Sequence, residues 1–327
     1  MKNFIRDIFI PIDGADFEKK ALELYAFQYR HNAVYRQFSH LLDKSPANVK
    51  RLADIPFLPV ELFKYHQVVS VPPPYGAVFE SSGTTGMLRS RHYIKDLPLY
   101  RKVFRTTFEM FYGSPSGYLI LALLPSYLER ENSSLIYMMN DLIASARPGS
   151  GFYLHDTDRL YQNLVQADRS GEKVLLFGVS FALWDFSERY DFDLKNTIVM
   201  ETGGMKGRKK EPVREELHGI LSGNFGVARI HSEYGMTELL SQAYSQGEGK
   251  FKTPPWMKIL IRDTEDPSDY LPVNKTGGIN IVDLANVYSC AFIATQDLGK
   301  ILPGGEFEVL GRFDNSDIRG CNLLIME

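Results

Sequence analysis

The chain has 327 residues, 44% of them hydrophobic, 13% aromatic and 24% charged, a globular composition that excludes wholesale disorder and collagen-like structure and leaves room for two compact units or one large one. Its 37 Lys and Arg against 40 Asp and Glu give a net charge of −3, without the basic excess of a nucleic-acid binder. The longest strongly apolar run, residues 118–124, is far below the roughly 20 residues that span a bilayer, and the start MKNFIRDIF lacks a signal-peptide core, so a cytoplasmic protein without a membrane span is expected.

In chain order, residues 16–42 carry apolar and aromatic positions at mixed three and four spacing, interrupted by polar pairs such as His31-Asn32. This spacing predicts helices and a helical N-terminal layer over residues 1–75. Pro72, Pro73 and Pro74 remove three backbone donors and announce a new unit at residue 76. From there predicted strands at 118–124, 151–155, 173–179, 196–202 and 227–235 alternate with predicted helices at 133–146, 156–167, 181–190 and 214–222. Repeated strand-then-helix order implies right-handed crossovers and a mostly parallel sheet covered on both faces, an α/β core over residues 76–250. After Lys250, short strand-like stretches at 257–263, 277–283, 290–295 and 306–311 lie between Pro and Gly turns. They predict a smaller antiparallel subdomain over residues 251–310, followed by a C-terminal stub, residues 311–327.

Three groups of residues carry candidate chemistry. In Ser81, Ser82, Gly83, Thr84, Thr85 and Gly86, small residues let backbone N–H groups approach an anion and four hydroxyls can donate to phosphate oxygens. The stretch reads as a phosphate cradle or as a hydroxyl-rich surface turn; it is not a Walker A loop, because no Lys follows its second Gly. Tyr234, Gly235, Thr237 and Glu238 stand at the predicted carboxyl end of a strand, where open α/β sheets bind ligands. There Tyr234 can stack on a base, Thr237 can donate to a phosphate and Glu238 can hold a divalent cation; the alternative is a strand end followed by a capped helix. Gly203 and Gly204 follow another predicted strand and offer flat backbone beside the same crevice. Asp297, in a predicted Asp-Leu-Gly turn, has a carboxylate able to accept both hydroxyls of a ribose, and Arg312 adds donors; taken singly, each also reads as a solvated charge. His92, near Arg89 and Arg91, reads as part of a basic cluster, and His231 as facing a pocket, orienting Glu238 or packed in the core.

In this order the motifs resemble the adenylate-forming (ANL-type) superfamily of acyl-CoA synthetases, nonribosomal adenylation domains and luciferase, over about residues 76–321. The resemblance implies an α/β adenylation domain that uses ATP and magnesium. In it Ser81 to Gly86 form the phosphate loop, and Gly203 and Gly204 the strand end flanking adenine. Tyr234 with Gly235, Thr237 and Glu238 make the adenine, α-phosphate and magnesium contacts, and Asp297 and Arg312 the ribose contacts. Two features depart from the superfamily pattern: nothing after Arg312 corresponds to the C-terminal lid domain with its lysine, and the phosphate loop lacks its usual lysine. Arg89 lies a little beyond that loop, and Lys206 is the candidate to replace the lid lysine. The stretches ETGGMKGR (201–208) and IRGCN (318–322) are similar to a smaller family with the same short ending, the acyl-protein synthetase (LuxE type) subunit of the bacterial fatty-acid reductase complex. On that match Cys321 is the acyl acceptor.

Cys321 lies nine residues after Arg312, a separation of up to about 30 Å in full extension, so its sulfur can reach a site that Arg312 touches. A few per cent of an ordinary thiol is thiolate at neutral pH, enough to attack a mixed anhydride with a good leaving group; read without the family, Cys321 is a small packed apolar residue. The other cysteine, Cys290, reads as structural. The implied function is activation of a carboxylic, most simply a fatty, acid as an acyl-adenylate. Transfer to Cys321 as a thioester and hand-off to a partner such as an acyl reductase follow. The alternatives are an acyl-CoA or aryl-CoA ligase core whose lid is missing or supplied in trans, and a catalytically silent nucleotide-binding subunit of a larger complex.

Overall fold

Five helices begin where a short polar side chain accepts a hydrogen bond from the backbone N–H three residues on: Asp13, Asn32, Asp96, Ser133 and Asp156 each satisfy a donor that the helix itself leaves free. The computed structural model describes residues 1–10, 13–81, 88–125, 132–154, 156–203 and 212–313. Its helices are α1 (Lys2–Asp7), α2 (Gly14–His31), α3 (Ala33–Leu41), α4 (Leu62–Tyr65), α5 (Leu97–Tyr112), α6 (Ser134–Ala144), α7 (Thr157–Arg169), α8 (Ser180–Arg189) and α9 (Arg214–Phe225). The strands are β1 (Leu58–Pro59), β2 (Ala77–Glu80), β3 (Arg91–Ile94), β4 (Leu119–Leu123), β5 (Gly151–Phe152), β6 (Val174–Val179) and β7 (Thr197–Thr202). They continue as β8 (His231–Tyr234), β9 (Ala243–Ser245), β10 (Phe251–Lys252), β11 (Met257–Arg262), β12 (Gly277–Asp283), β13 (Phe292–Ile301) and β14 (Phe307–Arg312).

The predicted α/β alternation is present: β5, β4, β6, β7 and β8 are parallel neighbours in that order. Every residue of β4 and β6 is buried, as expected of strands covered on both faces. The sheet then changes character. β8 to β9, β9 to β10, β10 to β14, and on through β13, β12 and β11, every pairing is antiparallel. The antiparallel strands of the C-terminal third are thus hydrogen-bonded edge to edge with the parallel ones. β2 and β3 form a separate hairpin.

Two features differ from the sequence expectations. The Asp-Leu-Gly stretch at 297–299 is not a turn, because β13 runs straight through it for ten residues, with a bulge between Leu298 and Gly299. Gly299 is glycine for a different reason: a Cβ there would collide with the backbone oxygen of Glu308 on the neighbouring strand. The second is α5, absent from the expected elements although Leu99, Tyr100, Val103, Phe104 and Phe108 recur at three- and four-residue spacing. It is a sixteen-residue helix started by Asp96 with Pro98 in its first turn, ended by Gly113 at φ +77°, and buries Val103, Phe104 and Phe108.

The N-terminal helices cover the antiparallel half. Tyr25, Tyr35 and Phe57 pack their rings around Phe292 of β13. Asn32 separates α2 from α3, capping the second while its amide donates to the Ser289 carbonyl at 3.2 Å. Gln28, fully buried, donates to the carbonyls of Asn286 (2.9 Å) and Val287 (3.0 Å) and accepts from the N–H of Ala291 at 2.9 Å. Replacing it with an apolar residue of similar volume strands three buried backbone groups, each costing about 1–3 kcal/mol. Gln28→Leu is therefore expected to lower unfolding free energy by about 3 kcal/mol or more in a urea titration; a loss below about 1 kcal/mol would show that the 284–291 loop does not depend on this helix.

Candidate active site

The carboxyl ends of β7 and β8 lie side by side, with Thr202 opposite Glu233 in the parallel register. Gly203, at φ +72°, ends the first strand in a conformation that suits glycine. Tyr234 and Gly235 end the second. The chain then crosses residues 235–242 without a helix and returns as β9. At Gly235 a Cβ would stand 2.5 Å from Oε1 of Glu233, so a side chain there would displace that carboxyl.

The Tyr234 hydroxyl donates to Oδ2 of Asp297 at 2.7 Å, and Nε of Arg312, the register partner of Asp297 across β13 and β14, donates to Oδ1 at 3.2 Å. Three predicted site residues therefore form one cluster. Asp297 is 7% exposed while the Arg312 side chain is 75% exposed, so Arg312 bridges a buried carboxylate and open solvent. The Tyr234 ring packs at 63° on Phe251 and 76° on Phe307. Its hydroxyl orients Asp297, a role that nothing in the local sequence announces.

Glu238 is 4% exposed; burial pushes its carboxyl above the usual range, opposed by the hydroxyl of Ser90 beside it. The turn carrying Thr237 and Glu238 is held by buried groups from elsewhere. Asn286 Nδ2 donates to the Glu238 carbonyl at 2.8 Å, and Oδ2 of Asp283 accepts from the N–H groups of Leu240 and Ser241, both at 2.9 Å. His92 faces the Thr237 carbonyl at 2.8 Å and is fully buried, with burial lowering its imidazole to about 4. It is thus not a member of an exposed basic cluster. His231 meets the Tyr112 hydroxyl at 3.2 Å rather than Glu238.

Of the hydroxyl-rich stretch, Ser81 is described. Its N–H donates to the Ser90 carbonyl and its Oγ accepts from the Ser90 N–H, both at 3.0 Å, which closes the base of the loop between β2 and β3. Arg89 pairs with Glu80 at 3.4 Å. Ser82, Gly83, Thr84, Thr85, Gly86, Gly204, Lys206 and Cys321 lie outside the described residues. The other thiol, Cys290, is fully buried and pushed up to about 12 by that burial, in keeping with a structural residue. Among the described residues no three His, Cys, Asp or Glu side chains group to hold a metal, and no helix is long and apolar enough to cross a membrane.

Two buried acids lie beneath this edge. Glu201 accepts from Ser180 Oγ at 2.7 Å and is ion-paired with Arg214; burial opposes its charge, but Arg214 and His218 hold it down to about 2. Glu233 accepts from the Thr202 hydroxyl, has no such cation among the described residues, and burial pushes it up to about 7.

The fold is shared with solved structures of a CoA ligase and of an ATP-bound protein. The chain is similar to 2-hydroxyisobutyryl-CoA ligase in an open conformation with 2-HIB-AMP and CoA, at 14% identity over 94% of this chain and 77% of that one, TM-score 0.67. It is also similar to ATP-bound MatB from Rhodopseudomonas palustris, at 19% identity over 74% of this chain and 50% of that one, TM-score 0.57; the chain spans about half the length of MatB. No curated protein matches it. Residues 14–327 match the family described as acyl-protein synthetase, LuxE, and the chain belongs to that family.

A raised carboxyl stabilises the fold below its unfolded pKa, and that contribution is lost as pH rises through about 7. Glu233→Gln, which mimics the protonated acid, is expected to lose less thermal stability than wild type between about pH 5 and about pH 9. Equal losses in both proteins would show that Glu233 does not titrate in this range.

Proposed function

We propose that the protein activates a carboxylic acid with ATP as an acyl-adenylate and then carries the acyl group on Cys321 as a thioester. The observation behind this reading is the convergence at one sheet edge of Gly203, Tyr234, Thr237 and Glu238 with the Asp297 and Arg312 pair, beside the hairpin that carries the hydroxyl-rich loop. Asp297 keeps lone pairs free for vicinal ribose hydroxyls after accepting from Tyr234 and Arg312. The loop hydroxyls and Thr237 supply phosphate donors. Magnesium takes one or two carboxylates together with phosphate oxygens and water, and Glu238 beside Ser90 fits that demand; the ion would offset triphosphate charge.

In the first step a carboxylate oxygen of the acid attacks the α-phosphorus and the bond to pyrophosphate breaks. The carboxylate brings its own electron pair, so no side-chain base is required and the residues act by positioning and electrostatics. In the second step the Cys321 thiolate, its proton lost to solvent, attacks the acyl carbon, and the bond from that carbon to the AMP oxygen breaks. The family points to a fatty acid as substrate and to an acyl reductase as the partner that removes the thioester.

Two measurements test this reading. Asp297→Ala should weaken ATP binding in a calorimetric titration by about 1.5–3 kcal/mol, the range for a hydrogen bond to a charged group; an unchanged affinity removes Asp297 from the nucleotide site. With radiolabelled acid and ATP, wild type should become labelled through a hydroxylamine-sensitive bond. Cys321→Ser should lose that label yet still exchange pyrophosphate into ATP, because a serine hydroxyl is a far poorer nucleophile at neutral pH. Label that persists on the variant sinks the acceptor assignment, and label found only on added coenzyme A favours a ligase.

A further inference from the structure

The hydroxyl-rich loop and the Thr237 and Glu238 turn belong to distant parts of the chain, and two buried side chains of the hairpin reach the turn: Ser90 meets the Glu238 carboxyl and His92 the Thr237 backbone. His92 lies on β3 opposite Phe79 of β2 and is fully buried. Its Nδ1 is 2.8 Å from the carbonyl oxygen of Thr237. A carbonyl only accepts, so Nδ1 carries the proton and Nε2 the lone pair. Among the described residues Nε2 has no hydrogen-bond partner; the Asn286 amide beside it spends both protons on the carbonyls of Glu238 (2.8 Å) and Cys290 (2.9 Å). The Phe63 ring stands at 90° to the imidazole with centroids 5.8 Å apart. His92 is therefore a neutral donor of fixed orientation whose one hydrogen bond among the described residues is to the Thr237 carbonyl.

That contact matters because of what lies on either side of it. Two residues before His92, Ser90 closes the loop onto Ser81 and stands beside the Glu238 carboxyl. On the turn, the Thr237 carbonyl is bound by His92, the Glu238 carbonyl by Asn286, and the Leu240 and Ser241 amides by Asp283. Asn286 and Asp283 come from the antiparallel half; of these anchors His92 is the one carried by the hairpin. We propose that His92 is a positioning residue whose Nδ1–H, donated to the Thr237 carbonyl, sets β3 and the Ser81 and Ser90 base of its hairpin in register with the Thr237 and Glu238 turn that meets the triphosphate. This role rests on the adenylate-forming reading. Displacements of about 1 Å at such a site cost on the order of a hundredfold in rate.

The test is exchange of labelled pyrophosphate into ATP with magnesium, using saturated acids from octanoate to octadecanoate and benzoate as probes. Wild type is compared with His92→Leu, His92→Asn and His92→Gln. Asparagine places its amide nitrogen where Nδ1 stands, glutamine places its own near Nε2, and leucine supplies volume without a donor. His92→Leu and His92→Gln are expected to lower kcat by about tenfold or more with KM for the acid within about twofold of wild type, and His92→Asn to recover most of the rate. If His92→Leu fails to fold, the comparison of asparagine with glutamine decides. Equal rates for those two, or a folded His92→Leu as fast as wild type, overturn the positioning role and leave the adenylate reading standing. Absence of exchange by wild type with every probe overturns both.

Discussion

The hydrogen bond from Tyr234 to Asp297 can form only because the sheet curls. In strand order β8 and β13 are separated by β9, β10 and β14, four steps that would place them about 19 Å apart in a flat sheet. The intervening β9 and β10 are three and two residues long, and β10 meets β14 through the single register pair Phe251 and Phe307. Short strands with so little pairing let twist accumulate sharply. The rings of Tyr234, Phe251 and Phe307, with centroids 5.4–5.9 Å apart, occupy the inside of the bend. Curling carries Asp297 and Arg312 from the antiparallel half to the carboxyl end of a parallel strand, and the candidate site exists at that meeting.

The acids near this edge show how position sorts like groups. Glu201 and Glu233 lie on neighbouring parallel strands, offset by one register step. Arg214 and His218 keep the first charged despite its burial, while the second has the Thr202 hydroxyl and no cation among the described residues, and burial favours its protonated form. Glu238, displaced onto the turn, has Ser90 and a raised carboxyl. Asp297 has a tyrosine hydroxyl on one oxygen and an arginine on the other. Each carboxyl has different partners, so one edge combines a permanent ion pair, a group biased toward its neutral form and two candidates for ligand contact.

Access follows the same division. Arg312 reaches from buried Asp297 into solvent, whereas the groups that hold the Thr237 and Glu238 turn, His92, Asn286 and Asp283, are sealed from it. The residues proposed to meet ATP are thus carried by a scaffold whose own hydrogen bonds are protected from competing water, the condition under which such bonds hold geometry best.

The apolar runs at 118–124 and 173–179, the helices between them and the glycine at the end of β7 were legible from local pattern, because a strand buried on both faces and a capped helix leave their signatures within a few residues. The candidate residues Tyr234, Thr237, Glu238, Asp297 and Arg312 were legible as an ordered set of motifs. Their partners were not. Asp-Leu-Gly carries turn composition, yet strand pairing on both sides draws it into β13 and spends its glycine on a close approach to β14. His92 follows Arg89 and Arg91 and looks exposed, but the hairpin register turns it inward against a carbonyl 145 residues away in sequence. Local propensity and motif order were determined by the sequence itself; which charge is buried, which hydroxyl orients which acid and how the loop meets the turn were decided by the tertiary structure, because those depend on contacts between segments that composition and spacing do not connect.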